Sequence, residues 1–73
     1  MDNVIESIGI VVNGDARRVV AGATVADLLA QMNAAGKRVA VERNGAIVPR
    51  SAHGATKLAE GDRLEVVIAV GGG

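Results

Sequence analysis

The residues with the most chemical promise stand at the end of the sequence. Gly71, Gly72 and Gly73 follow directly on an alternating apolar run, and the Gly73 carboxylate has no neighbouring side chain to crowd it. A terminal carboxyl titrates at about 3.3–3.7, so at neutral pH it is ionised and a poor electrophile. A mixed anhydride with AMP would supply a leaving group, and attack by a sulfur nucleophile would then leave a C-terminal thiocarboxylate. Gly71 and Gly72 make a thread narrow enough to enter a partner's active-site channel. Fixing each threaded residue costs roughly 1–2 kcal/mol, so the domain behind the thread must dock with offsetting binding energy. A fraying end or a purification scar also leaves glycines; the position of these three immediately after a strand favours the chemical reading.

The remaining residues offer no rival centre. His53 is the one histidine, in a loop without cysteine or clustered carboxylates, and reads as a solvated residue outside any metal or general-base site. Asp27 reads as a helix cap. Cysteine is absent, which rules out disulfides, thiolate metal sites and a cysteine nucleophile. No phosphate-binding loop is present, since the only glycine cluster follows a strand and opens no helix. The expectation is a chain that binds no cofactor or metal and is acted on by others, with ATP used by an activating partner.

The 73 residues suffice for one compact domain, and a chain near this size buries only about 60% of the surface exposed when unfolded. Apolar residues make up 49%, with no Phe, Tyr or Trp, so the core must be aliphatic. Eight basic residues balance eight acidic ones, which removes the field that non-specific nucleic-acid or membrane-surface binding needs. No run approaches the roughly 20 apolar residues of a membrane span, and residues 1–7 lack the charge and apolar run of a signal peptide. A cytoplasmic protein, monomeric when free, is expected.

The elements that must position the tail follow from periodicity. Ile8, Ile10 and Val12 alternate up to Asn13-Gly14-Asp15, a tight-hairpin signal, and residues 16–20 return antiparallel. Val25, Leu28, Leu29 and Met32 then share one helical stripe, with Thr24 as N-cap, Asp27 completing a weak capping box and Gly36 expected just past the helix end. A second hairpin, residues 39–43 and 46–48, turns at Asn44-Gly45. Residues 50–59 have no period and read as a loop with one short helical turn, anchored by Leu58. The last strand, 63–70, sets Leu64, Val66, Ile68 and Val70 against Glu65, Val67 and Ala69. The order implies an α+β fold of β-grasp type: a mixed sheet of four to five strands, one main helix on one face, the final strand beside the first, and a flexible glycine tail. The domain is expected to span 8–70, between a short extension, 1–7, and the tail, 71–73.

The run Val39 to Ser51, the segment Glu60 to Val67 and the ending Val70-Gly71-Gly72-Gly73 resemble the ThiS family of thiamine-biosynthesis sulfur carriers, and the likeness extends from about Ile8 to Gly73. The resemblance implies a ubiquitin-like β-grasp protein whose terminal glycine is adenylated by a ubiquitin-activating-type adenylyltransferase. Sulfur from a cysteine desulfurase route would convert it to a thiocarboxylate, which donates sulfur to thiazole synthase. Gly72 and Gly73 match the family's diglycine; Gly71 and the extension depart from it without touching the chemistry. By the same analogy Ala40, Val67 and Ala69 form an apolar docking patch on the sheet face opposite the helix. Two alternatives share the fold: the sulfur-carrying small subunit of molybdopterin synthase, and a non-catalytic interaction module with an inert tail.

Overall fold

The structure, a computed structural model, describes residues 6–69. Five strands and one helix follow in the order β1 (Ser7–Val12), β2 (Asp15–Val20), α1 (Val25–Gln31), β3 (Val39–Arg43), β4 (Ala46–Val48) and β5 (Arg63–Ile68), with a 3₁₀ turn at Arg50–Ala52. The sheet runs β2-β1-β5-β3-β4. β5 is parallel to β1 and antiparallel to β3, and the two hairpins flank it. This is the mixed β-grasp expected, with five strands where the sequence allows four or five. The last strand ends at Ile68 where the alternation suggests residue 70, which lies outside the described residues.

Both hairpins turn on Asn-Gly pairs with positive φ, Asn13 at 52° and Gly14 at 85°, then Asn44 at 52° and Gly45 at 86°. Those are the two central positions of a tight hairpin turn, which asparagine and glycine tolerate best. The helix starts on a full capping box: Thr24 Oγ1 accepts from the Asp27 N–H at 3.1 Å, and Asp27 Oδ2 accepts from the Thr24 N–H at 2.9 Å. The N–H groups of Val25 and Ala26, otherwise orphaned at a helix start, donate to the carbonyls of Thr56 and His53.

The helix ends earlier than the sequence suggests. Met32 is its C-cap and Asn33, at φ 58°, takes the left-handed position expected of Gly36. The Asn33 and Ala34 N–H groups donate to the carbonyls of Ala30 and Leu29, the paired bonds of a Schellman close, and buried Ala34 seals it. Gly36, at φ 80°, belongs to the following turn.

Leu28, Leu64, Val25 and Val41 are almost completely buried, joined by Ile10, Val12, Val19, Leu29, Leu58 and Val66, with Met32 and Ile68 packed at the edge. The core therefore lies between α1 and one face of the sheet, and the other face has no covering element among the described residues. No helix among them is long and apolar enough to cross a membrane.

Candidate docking and transfer site

β5 carries the chain toward the glycine tail, and contacts from both hairpins fix it in place. Parallel pairing with β1 covers only Val11–Arg63 and Val12–Leu64. Beyond it the Asn13 side chain takes over, accepting from the Val66 N–H at 2.8 Å and donating to the Val66 carbonyl at 3.1 Å. Asn44 acts similarly from the other hairpin: its Oδ1 accepts from the Arg63 N–H at 2.9 Å, and its backbone N–H donates to the Arg63 carbonyl. At the far end the Ala69 N–H donates to the Arg38 carbonyl at 2.9 Å, which extends the ladder one residue past β5. In the sequence the two asparagines read as turn residues only; nothing in a linear pattern signals that their side chains reach the last strand.

A buried carboxylate secures the entry to β5. Asp62 accepts from Arg43 Nε at 2.8 Å, from Asn44 Nδ2 at 3.0 Å and from the Ala59 N–H at 2.8 Å. Burial alone would push this carboxyl up, but the hydrogen bonds from Arg43, Asn44 and Ala59, with the Arg43 charge, outweigh it and hold the group below its ordinary value. It is a latch with both carboxylate oxygens engaged, and it lines neither of the two surface depressions described below.

His53 departs from the expectation of a solvated loop residue. It is only 8% exposed, and its Nε2 lies 3.2 Å from the Val48 carbonyl. The 3₁₀ turn folds the loop back under β4, so the ring becomes part of the packing; no cluster of His, Asp or Glu able to hold a metal occurs among the described residues.

On the uncovered face, Ala40 of β3 lies directly opposite Val67 of β5, and Ala69 follows two residues along the same side. All three are exposed, Val67 at 63%. The structure thus brings together the three residues singled out for docking. It adds Ile47, 66% exposed, and the carboxylates of Glu42 and Glu65; with Ala40 and Val67 these line a shallow groove. The period of two in β3, β4 and β5 already sets them outward, but only the register shows that they adjoin. A second depression, between the end of β2 and α1, contains Asp27 as its sole charged lining residue, and that carboxylate is committed to the helix cap. Gly71, Gly72 and Gly73, with Val70, lie outside the described residues.

The model of the ThiS family matches residues 10–73, from the middle of β1 through the glycines. The chain belongs to the ThiS family. Solved structures agree: the crystal structure of thiamine biosynthesis protein ThiS from Geobacter metallireducens superposes with a TM-score of 0.75 at 33% identity, covering 90% of this chain and 100% of that one. A solution structure of a thiamine biosynthesis protein from the same organism gives 0.69 at 36% identity, over 90% and 88%. Two curated relatives of this ThiS chain are longer proteins named thiazole synthase. The one from Paramagnetospirillum magneticum is 42% identical over 64 residues, 88% of this chain and 20% of its own length. The one from Magnetococcus marinus is 46% identical over 61 residues, 84% and 19%. This chain therefore spans about a fifth of the length of these relatives.

Proposed function

We propose that this protein is a sulfur carrier of thiamine biosynthesis, with the Gly73 carboxylate as the group that is activated and loaded. The observation that supports this reading is the extent of the family match, which runs through the last strand into the glycine ending. A separate adenylyltransferase of the ubiquitin-activating type joins the carboxylate to AMP at the expense of ATP. Sulfur that originates from cysteine through a desulfurase, delivered at the sulfide oxidation level, forms the new C–S bond as the C–O bond to AMP breaks and AMP leaves. The thiocarboxylate then gives its sulfur to a thiazole synthase, the activity named for the longer relatives. The carrier itself supplies no catalytic side chain; it is a protein cosubstrate.

The fold's part in this chemistry is positional. Ala69 is tied to Arg38, and four residues later comes Gly73, a reach of at most about 14 Å at full extension. A docked sheet face thus sets how deep the carboxylate enters a partner. Ala40, Val67 and Ala69 are the proposed contact residues, and Gly71 and Gly72 give access.

Incubation with ATP, a verified adenylyltransferase and a sulfur source, followed by intact-mass and fragment spectra, tests the reading. Replacement of one oxygen by sulfur at Gly73 is the expected result. One residue appended after Gly73 should abolish the change, because it displaces the reactive carboxylate from the depth set by docking. An unmodified wild-type chain, or a loaded extended one, would sink the proposal.

A further inference from the structure

Glu42 and Glu65 are direct partners across the antiparallel β3–β5 ladder, on the outer face, and both are exposed. Like charges at opposed positions destabilise a sheet, and a neighbouring cation is the ordinary relief. No ion pair forms here: the one ion pair among the described residues joins Arg43 to Asp62, and Arg63, two residues before Glu65 on the same face, is a neighbour that pairs with neither glutamate. Ile47 stands directly opposite Glu42 on β4, and Ala40 and Val67 complete the lining of the groove. Two carboxylates without an ion-pair partner, in an apolar frame, are complementary to a surface that offers one long cation from within an apolar patch.

We infer that Glu42 and Glu65 together receive an arginine guanidinium from the protein that docks on this face. Arginine suits the pair better than lysine, since its planar fork can donate to two carboxylates at once and is the more weakly hydrated cation. Docking buries Ile47 and Val67 around the contact, excludes water from it and relieves the repulsion carried by the free sheet. The occupant is the thiazole synthase of the proposed function, on which the inference rests; relatives of that name contain a segment like this chain. The acidic pair acts in recognition and takes no part in the sulfur chemistry.

The test is titration calorimetry of the thiocarboxylated chain against the synthase at low and at physiological salt, with Glu42→Gln, Glu65→Gln, the double variant and a control, Asp15→Asn, at the distant β1–β2 hairpin. The double variant should bind at least about tenfold more weakly and lose most of the salt dependence, each single variant falling between. Its thermal midpoint should equal or exceed that of wild type, because a repulsive pair has gone, so weaker binding cannot be ascribed to unfolding. Unchanged affinity and salt response in the double variant overturn the inference while the carrier reading stands. A loaded wild-type chain that does not bind the synthase also overturns it, and a chain that is never thiocarboxylated removes the carrier reading and this inference together.

Discussion

The two faces of β5 share one backbone and one period, yet they meet different surroundings. Leu64 and Val66 point toward α1 and are 1% and 6% exposed, whereas Val67, one residue on, is 63% exposed and Glu65 and Ala69 share its side. The inner face holds the domain together through aliphatic packing. The outer face contributes little to that packing and bears an opposed pair of glutamates that a sheet optimised only for stability would not retain. A single strand thus carries cohesion on one side and leaves exposed on the other the face proposed for docking.

The largest effect expected from breaking this asymmetry is on the inner face. Leu64→Ala should cost about 2–5 kcal/mol in denaturant unfolding, because it opens a cavity against a core that has no aromatic side chain to fill it; a loss near that of an exposed site would contradict the packing. An intermediate effect belongs to the latch below the strand. Asp62→Ala leaves Arg43, Asn44 and the Ala59 N–H without their acceptor, at a cost of roughly 1–3 kcal/mol. The folded-state pKa of Asp62 lies below the ordinary 3.8, so its contribution is fully present above that value and is lost as pH falls through the lower folded one. Unfolding of wild type and variant across acid pH should therefore show their stability gap closing below about pH 4; a gap that persists there would mean that the carboxylate's charge is not what holds the latch. The smallest effect is on the outer face, where Val67→Thr should move stability by no more than about 0.5 kcal/mol. A larger change by the same measurement would give that face a structural role and erase the asymmetry.

Much of this division is legible in the sequence. The alternation in residues 63–69 separates inner from outer side chains, the Asn-Gly pairs mark both hairpins, and Val25, Leu28, Leu29 and Met32 mark the helix face. The sequence misleads where a local cue competes with a longer-range one. Gly36 resembles a helix terminator because glycine adopts positive φ easily, but burial of Ala34 fixes the Schellman close about one turn earlier, with Asn33 in the left-handed position. His53 suggests a solvated residue because it stands in a segment without period and without clustered cysteines or carboxylates, and the fold-back of the 3₁₀ turn buries it. In the candidate site, Ala40, Val67 and Ala69 follow from period and family analogy, whereas Glu42, Glu65 and Ile47 join them only through the register of β3 between β4 and β5.

By itself the sequence determined the element types, the aliphatic core and the glycine ending, since these depend on composition and on periods a few residues long. Tertiary structure alone decided that Asn13 continues the ladder to Val66, that Asp62 gathers three donors, and that two glutamates 23 positions apart stand face to face. Most of those contacts join residues distant along the chain, and only the placement of β5 between β1 and β3 brings them within a hydrogen bond or a side chain of one another.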